Sequence, residues 1–209
     1  ANINGINQVQ VNAKAGLTFA AALRSILRQD PDIIGVGEIR DSETAAIAAR
    51  AAITGHLVLS TLHTNDSISA VHRLMDIGVE PYMISSALKG VISQRLVRKI
   101  CPHCRTSYKP SEDEKRLLGI SEEEVLLYRG DGCPECHHSG YSGRQAVFEI
   151  LTLTKKMRHM ISEGASEEQL AKEAVAGGFT PMKNACKKLV LEGVTTVEEA
   201  LKAINSTAE

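Results

Sequence analysis

An acidic residue follows an apolar run in the first quarter of the chain. Residues 33–37 have the sequence IIGVG, and Glu38 comes directly after them. Nucleotide hydrolases use a carboxylate at the end of a strand to act beside Mg²⁺ and the attacking water. Such enzymes also need a phosphate-binding loop, and the 209 residues contain no G-x-x-x-x-G-K-[ST] pattern. Glu38 is therefore a candidate catalytic acid for which this sequence supplies no phosphate-binding loop.

Polar side chains also lie at and just after the end of a second run, residues 57–62. Thr61, His63 and Asn65 supply a hydroxyl, an imidazole and an amide there. If the two runs are neighbouring parallel strands, these groups share an edge with Glu38, which is the usual ligand-binding edge of an α/β sheet. They suit contact with a γ-phosphate. Periodicity alone leaves open that Asp66 caps the next helix and that His63 is a surface residue.

Two C-x-x-C pairs form a second group that could do chemistry. Four thiolates from two such pairs can complete a closed tetrahedral zinc site, which has a structural rather than a catalytic role. A redox function needs only one pair, so it does not explain two. His103, His137 and His138 are alternative ligands nearby, and Cys186 is expected to be a buried apolar residue. The predicted ligands are Cys101, Cys104, Cys133 and Cys136.

Composition narrows the class of protein. Hydrophobic residues make up 43% of the chain and charged residues 23%, as in an ordinary globular protein. The net charge of -1 and the 3% aromatic content argue against a nucleic-acid platform. No apolar stretch reaches the roughly 20 residues needed to span a bilayer. The polar start is not a signal peptide, so paired cysteines favour a metal in a reducing, cytoplasmic compartment.

The elements that must position these groups alternate between strands and helices, which predicts a parallel α/β sheet. Beyond residue 151 the pattern is helical, with a capping box at Ser166 and Gln169. The last helix has an apolar stripe of Val197, Ala200, Leu201 and Ile204. The predicted strands are residues 8–11 and two strands expected to be buried, 33–37 and 57–62. The predicted helices are residues 17–28, 42–53 and 66–75.

Longer motifs resemble a known family. Residues 17–74, LTFAAALRSILRQDPDIIGVGEIRDSETAAIAARAAITGHLVLSTLHTNDSISAVHRL, are similar to the secretion ATPase superfamily, within it to the motors of type II secretion and type IV pilus assembly. GEIRD resembles the family's Walker B motif and STLHTND its His box. QRLVRKICPHC and CPECHHSGYSGRQAVFEI match as well. The resemblance implies the C-terminal half of a RecA-like P-loop NTPase domain (1–98), a zinc-binding subdomain (99–145) and a C-terminal helical domain (146–209).

The resemblance also implies roles for individual residues. Glu38 matches the family's catalytic glutamate, and His63 matches the residue near the γ-phosphate, supported by Thr61 and Asn65. Alternatives remain open for three basic residues. Arg24 and Arg28 could lie on a solvated helix face, and Arg40 could form an ion pair with Asp41 or Glu43. The basic residues that resemble those lining the nucleotide site or the subunit boundary are Arg24, Arg28, Arg40 and Arg144.

Cofactors and partners follow from the same resemblance. It implies structural zinc. It also implies ATP with Mg²⁺ in a full-length hexamer whose P-loop lies upstream. The isolated chain is therefore expected to be inactive. It implies peripheral docking to an inner-membrane platform protein and other assembly components at the cytoplasmic face. The zinc knuckle resembles assembly and secretion motors, because retraction motors lack it. Two alternatives are a zinc-ribbon nucleic-acid-binding module, suggested by the basic run at 95–99, and a remnant kept for assembly contacts.

Overall fold

The computed structural model describes residues 3–121 and 123–205, and the chain divides into two compact units. Unit 1 comprises Ala1–Thr64, Ile68–Lys89 and Leu153–Leu170. Unit 2 comprises Asn65–Ser67, Gly90–Thr152 and Ala171–Glu209. The short segment 65–67 therefore belongs to unit 2, although the chain before and after it belongs to unit 1.

Helices and strands follow one another along the chain, with short 3₁₀ turns at Ala13–Ala15, Leu27–Gln29 and Pro134–Cys136. In chain order the elements are α1 (Phe19–Ile26), β1 (Ile33–Val36), α2 (Ser42–Ile53), β2 (Leu57–Ser60), α3 (Ser69–Asp76), α4 (Pro81–Ala87), β3 (Gly90–Ile100), β4 (Arg105–Tyr108), α5 (Glu112–Leu118), β5 (Leu127–Gly130), β6 (Tyr141–Thr152), α6 (Lys155–Ser162), α7 (Glu167–Ala176), α8 (Met182–Leu191) and α9 (Val197–Asn205).

Unit 1 contains the predicted parallel strand pair. β1 and β2 run side by side with Val36 opposite Ser60. Ile34 and Val36 lie on the face that packs against α1 and α2. Successive side chains of a strand point to opposite faces, so the packed helices bury only one of the two faces. The prediction that both strands are buried is wrong for their other face, because Ile33, Leu57 and Leu59 are each about half exposed or more.

The three helices predicted in unit 1 all form, but only α2 has its predicted bounds. α2 covers the predicted residues 42–53, because the Asp41 carboxylate accepts the Thr44 N–H (2.8 Å) and fixes its first turn. α1 is shorter than predicted and passes into the 3₁₀ turn Leu27–Gln29. α3 begins at Ser69 rather than at residue 66.

The predicted strand at residues 8–11 is not formed. The backbone there makes no strand ladder within the described part of the chain, and the nearest pairing is an isolated bridge between Asn12 and Leu17. Val9 is 54% exposed, so the alternating pattern buries no apolar face that could hold a strand in place.

Unit 2 is built on a long antiparallel ribbon. β3 pairs with β6 from Gly90 opposite Thr152 to Ile100 opposite Tyr141. A second ribbon, β4 with β5, packs with α5, α8 and α9 around one apolar core. The most completely buried members of that core are Leu127, Cys186, Ala200, Val97, Leu118 and Val190.

The predictions for the C-terminal residues are confirmed. Ser166 and Gln169 exchange hydrogen bonds of 2.9 and 3.3 Å at the start of α7. Val197 and Ala200 are buried in the core of unit 2, and the other two residues of the predicted stripe pack against it. Cys186 is fully buried, and this burial raises the pKa of its thiol to about 11.

The predicted three-domain division stays a prediction. Its boundary at residue 98 falls inside β3, and its boundary at residue 145 falls inside β6. No helix in residues 3–121 and 123–205 has both the length and the hydropathy needed to cross a membrane.

Candidate functional site

The strand pair of unit 1 brings its two polar loops together. Pairing continues past the ends of β1 and β2, since the Thr61 hydroxyl donates to the Gly37 carbonyl (2.7 Å) and the Ile39 N–H donates to the Thr61 carbonyl (3.2 Å). These two bonds flank Glu38. The backbone around Glu38 is therefore fixed to the loop that leads to His63.

Glu38 lies between two basic side chains. Its Oε2 is 3.5 Å from His63 Nε2 and 2.5 Å from Arg40 Nε. The Glu38 side chain is 25% exposed, while those of His63 and Arg40 are 63% and 72% exposed. A carboxylate at a strand end, with an imidazole beside it, can accept a hydrogen bond from a water and orient it.

Arg40 does not form the ion pair that local sequence suggested. Its partner is Glu38 rather than Asp41 or Glu43. Asp41 instead caps α2, where it accepts bonds from the Thr44 N–H and the Thr44 hydroxyl. Asp41 therefore has a structural role at the start of α2 and is not the ion-pair partner of Arg40.

The other predicted basic residues of unit 1 lie on its surface. Arg24 pairs with Glu43 at 2.5 Å, which links α1 to α2, and both side chains are more than half exposed. Arg28 is exposed in the 3₁₀ turn after α1, so it does not continue the α-helical face of Arg24. Their proposed role in nucleotide binding stays a prediction.

Two predicted residues belong to unit 2. The Asn65 carbonyl accepts a bond from Arg95 Nη2 at 2.9 Å. Arg144 is exposed on β6, opposite Arg98 in the ribbon register. The structure thus gathers Glu38, His63, Arg40 and Thr61 within unit 1, while Asn65 and Arg144 are parts of the other unit.

The four predicted cysteine ligands form one compact group. Their Sγ atoms all lie within 4.8 Å of one another. The Cys101–Cys133, Cys104–Cys136 and Cys133–Cys136 sulfur distances are 3.9, 3.8 and 3.7 Å. A tetrahedral zinc with Zn–S bonds of about 2.3 Å holds its sulfurs about 3.8 Å apart. The group can therefore hold a metal ion, and its dimensions fit zinc.

Backbone groups support this metal-binding group. Burial of the Cys136 thiol opposes its ionisation, but the N–H groups of Cys133 and Gly140 both donate to its sulfur at 3.3 Å and lower its pKa to about 6. Burial raises the pKa of Cys104 to about 12. A bound cation would favour the thiolate form of Cys104 against this burial.

The backbones of Gly130 and Gly140 approach each other closely beside the two C-x-x-C pairs. A Cβ atom on Gly130 would fall far inside contact distance of the Gly140 carbonyl oxygen. His137 and His138 both adopt a positive φ, 51° and 59°, directly after the second knuckle. These residues turn the chain from the cysteines into β6.

Glu149 was missed by sequence reasoning. Its carboxylate is 4% exposed and accepts three hydrogen bonds within unit 2. A signal was present: Val147, Glu149 and Leu151 occupy alternating positions of one strand, so a charged residue stands in an otherwise buried row.

Comparison with known proteins adds the following. A model of the "Type II/IV secretion system protein" family matches residues 1–202. The chain is 53% identical over 202 residues to the type IV pilus assembly ATPase PilB of Thermus thermophilus, covering 95% of this chain and 23% of that protein. It is 50% identical over 202 residues to the type II secretion system protein E of Pseudomonas aeruginosa, covering 96% and 40%. The chain therefore spans less than half the length of these relatives.

Solved structures agree with these matches. The pilus retraction motor PilT with bound ADP superposes with a TM-score of 0.62 at 32% identity, over 90% of this chain and 44% of that one. The ATPase DotB of Legionella pneumophila gives a TM-score of 0.63 over 93% and 44%, and at 22% identity it bears on the fold alone. The predicted α/β class, part of a RecA-like domain with an added tetracysteine group, is confirmed.

Proposed function

Because the chain belongs to the type II/IV secretion system protein family, we propose that it is part of an ATP-hydrolysing motor. This motor powers the polymerisation of pilins or pseudopilins in type IV pilus assembly or type II secretion. Its relatives include both a pilus assembly ATPase and a type II secretion protein E. The observation that supports the proposal most strongly is the contact of Glu38 with His63 at the end of a parallel strand pair.

Glu38 acts as the catalytic carboxylate in this proposal. It accepts a hydrogen bond from the attacking water and orients that water toward the γ-phosphate. His63 lies on the same edge, where its imidazole responds to the presence or loss of the γ-phosphate. Thr61 supports both by fixing the Gly37 carbonyl. Mg²⁺, when bound with ATP, neutralises charge that develops on the phosphate oxygens.

Arginine residues supply the remaining charge. In this chain Arg40 pairs with Glu38, so it both restrains the carboxylate and lies near the edge where phosphate is expected. Arginine suits such a place because its planar fork matches phosphate oxygens. Arg24, Arg28 and Arg144, with the amide of Asn65, are proposed to line the nucleotide site or the boundary between subunits of a hexamer.

The tetracysteine group is proposed to hold structural zinc through Cys101, Cys104, Cys133 and Cys136. It offers four protein ligands, which fills a tetrahedral site and leaves no position for a reacting water. Its presence favours assembly or secretion over retraction within the family. The proposed division of the chain follows the same family: residues 1–98 for the ATPase part, 99–145 for the zinc subdomain and 146–209 for the helical part.

Location and partners belong to the same proposal. The motor acts at the cytoplasmic face of the inner membrane, where it docks peripherally on an integral-membrane platform protein and other assembly components. A zinc-ribbon nucleic-acid module is not favoured, because the net charge is -1 and the relatives are secretion and pilus proteins. We propose that the isolated chain does not turn over ATP, since its sequence contains no phosphate-binding loop.

Phosphate release by the full-length protein tests this function. We expect turnover by the wild type and by Glu198→Gln, whose exposed carboxylate pairs with Lys202, and at least a hundredfold loss in Glu38→Gln, as expected for removal of a catalytic carboxylate. Equal activity in the two variants would refute the assignment of Glu38. Absence of turnover in every form, with zinc and the membrane partner supplied, would refute the ATPase function itself.

A further inference from the structure

The turn that joins α8 to α9, residues 192–196, is bonded to the chain on both sides of the first C-x-x-C pair. Ile100 lies directly before this pair and donates its N–H to the Val194 carbonyl at 2.9 Å. Arg105 lies directly after the pair, and its Nη2 donates to the Glu192 carbonyl at 3.4 Å. Both contacts lie within unit 2. The position of the α8–α9 turn therefore depends on how the first pair is held.

Gly193 brings the backbone of this turn against a stacked arginine. The Arg105 guanidinium stacks on the Tyr128 ring, with 3.9 Å between the Cζ atom and the ring centroid. A Cβ atom on Gly193 would overlap both Arg105 Nη2 and Tyr128 Cδ2. The φ of Gly193 is 67°, a conformation that glycine adopts without steric cost. The close approach therefore requires glycine in the α8–α9 turn and an undisturbed Arg105 beside the cysteines.

The second C-x-x-C pair reaches the same turn. The Tyr141 hydroxyl lies 2.9 Å from Thr196 Oγ1, at the other end of the turn. The preceding residue, Gly140, donates its N–H to Cys136 Sγ at 3.3 Å, and its carbonyl accepts the Cys101 N–H at 2.9 Å. Residues that contact the α8–α9 turn are thus adjacent to backbone groups that contact cysteines of both pairs.

The helices on either side of the turn are held by different contacts. Val190 of α8, with Val197 and Ala200 of α9, is buried in the apolar core of unit 2. The turn between them is held mainly by polar contacts, one of which, from the Thr195 hydroxyl to the Arg98 carbonyl (2.7 Å), does not involve a residue next to a cysteine. Disturbing the cysteine group should therefore open the turn locally, while the core retains the two helices.

We propose that metal binding by the four cysteines is coupled to closure of the α8–α9 turn. With a cation bound, the two pairs keep a fixed separation, so Ile100, Arg105 and Tyr141 keep the places in which they meet the turn. Without the cation the cysteines are free to separate, and these contacts no longer share one geometry. Such coupling is reciprocal, so a turn that closes poorly weakens metal binding by the same factor. The inference rests on the proposed metal site and is independent of ATP turnover.

Hydrogen exchange in the full-length protein tests the effect of the metal on the turn. The protein is compared with zinc bound and after treatment with a strong chelator, at a temperature where the chelated form keeps its helices. Exchange of a peptide covering residues 192–198 should become about tenfold faster on chelation, and exchange of residues 42–53 in unit 1 should not change.

Zinc content measured on the same samples separates the two possible failures. Protein that takes up no zinc would overturn the metal site and the coupling together. Zinc that is bound and then removed, with unchanged exchange of residues 192–198, would overturn the coupling alone.

Zinc affinity of a turn variant tests the reverse direction, and it remains decisive if the chelated protein loses its helices. Gly193→Ala introduces a Cβ that displaces Arg105 or Tyr128, and the dissociation constant for zinc should rise about tenfold. Gly178→Ala is the matched control, because Gly178 also has a positive φ, 92°, but has open space for a Cβ. Its dissociation constant should stay within twofold of the wild type. Equal zinc affinities of the two variants would overturn the coupling.

A milder variant applies if Gly193→Ala does not fold. Tyr141→Phe removes only the hydroxyl that meets Thr196. With zinc bound, exchange of residues 192–198 should become about threefold faster, and zinc should bind about threefold more weakly. A folded Tyr141→Phe protein with unchanged exchange and unchanged zinc affinity would contradict the proposal.

Discussion

Replacing Glu199 by Gln is expected to destabilise unit 2 in a manner that depends on pH. Glu199 lies in the first turn of α9 and is nearly buried. Its carboxylate accepts the Arg98 N–H (3.0 Å) and Arg98 Nη2 (2.7 Å), which joins α9 to β3. The same guanidinium stacks on the Tyr141 ring at 3.9 Å. Removing the charge of Glu199 therefore weakens a contact between the C-terminal helix and the main ribbon.

The size of the effect follows from the pKa of Glu199. The hydrogen bond from the Arg98 side chain lowers this pKa from 4.5 to about 2. At about 1.4 kcal/mol per pKa unit this corresponds to at most about 3–4 kcal/mol, and since Arg98 is 43% exposed we expect about 1–2 kcal/mol. A lowered pKa stabilises the fold above the unfolded value of 4.5. This stabilisation is lost as the pH falls toward 2.

Chemical unfolding of the chain at several pH values measures this contribution. Near pH 7 the free energy of unfolding of Glu199→Gln should be lower than that of the wild type by the full amount, and by about pH 3 less than half of the difference should remain. Glu198→Gln is the control, because Glu198 is exposed and pairs with Lys202 on the surface of α9; it should change stability by less than about 0.5 kcal/mol. Equal effects of the two substitutions, or a difference that does not shrink in acid, would refute the reasoning.

Three further outcomes are expected. If the cysteine group holds a metal, as proposed, a strong chelator should lower the melting temperature and the far-UV circular dichroism of the chain, because the four thiolates lose the cation that holds them together; an unchanged thermal scan would count against a bound metal. Gly130→Ala should abolish metal binding measured as zinc content, since its Cβ would strike the Gly140 carbonyl, whereas Gly35→Ala has open space and should retain zinc; equal zinc in both would contradict the close approach. Asp41→Ala should destabilise the chain by about 1 kcal/mol through loss of the α2 cap, and Asp41→Asn should retain most of that stability; unchanged stability of Asp41→Ala would show that the cap is unimportant.

Local sequence signals predicted the bounds of α2 correctly, but they failed for the strand expected at residues 8–11. α2 was predicted to the residue from its alanine-rich sequence and from Gly55 just after its end, and the structure adds the Asp41 cap at its start. The strand at residues 8–11 was predicted from alternation alone and does not form. Alternation states which side chains could share a face, but it does not supply a partner strand or a surface to cover that face.

Burial depends on what packs against a strand, and sequence does not contain that information locally. Leu57 and Leu59 were expected to be buried because their run is apolar, yet they lie on the face of the strand pair opposite α1 and α2. The cysteine group could be predicted because its residue types and spacing carry the information locally. Two C-x-x-C pairs have few other uses, so their chemistry alone indicates that they meet.

The candidate site was predicted in part. Strand ends predicted the meeting of Glu38 and His63, because parallel neighbours present their carboxyl ends at one edge. The partner of Arg40 was not predictable, since Glu38, Asp41 and Glu43 are all within reach along the chain. Glu149 was missed because its partner Ser67 lies 82 residues away in sequence, so no local pattern connects them.

The measurement that tests the central claim most directly is the fate of ATP bound to Glu38→Gln. Full-length wild type and variant are mixed with labelled ATP, and the bound nucleotide is recovered and identified over time. We predict that the variant binds ATP with an affinity within a few-fold of the wild type and retains it as ATP, while the wild type converts it to ADP, because only the carboxylate proposed to be catalytic is lost. Conversion to ADP in Glu38→Gln at the wild-type rate would contradict the account.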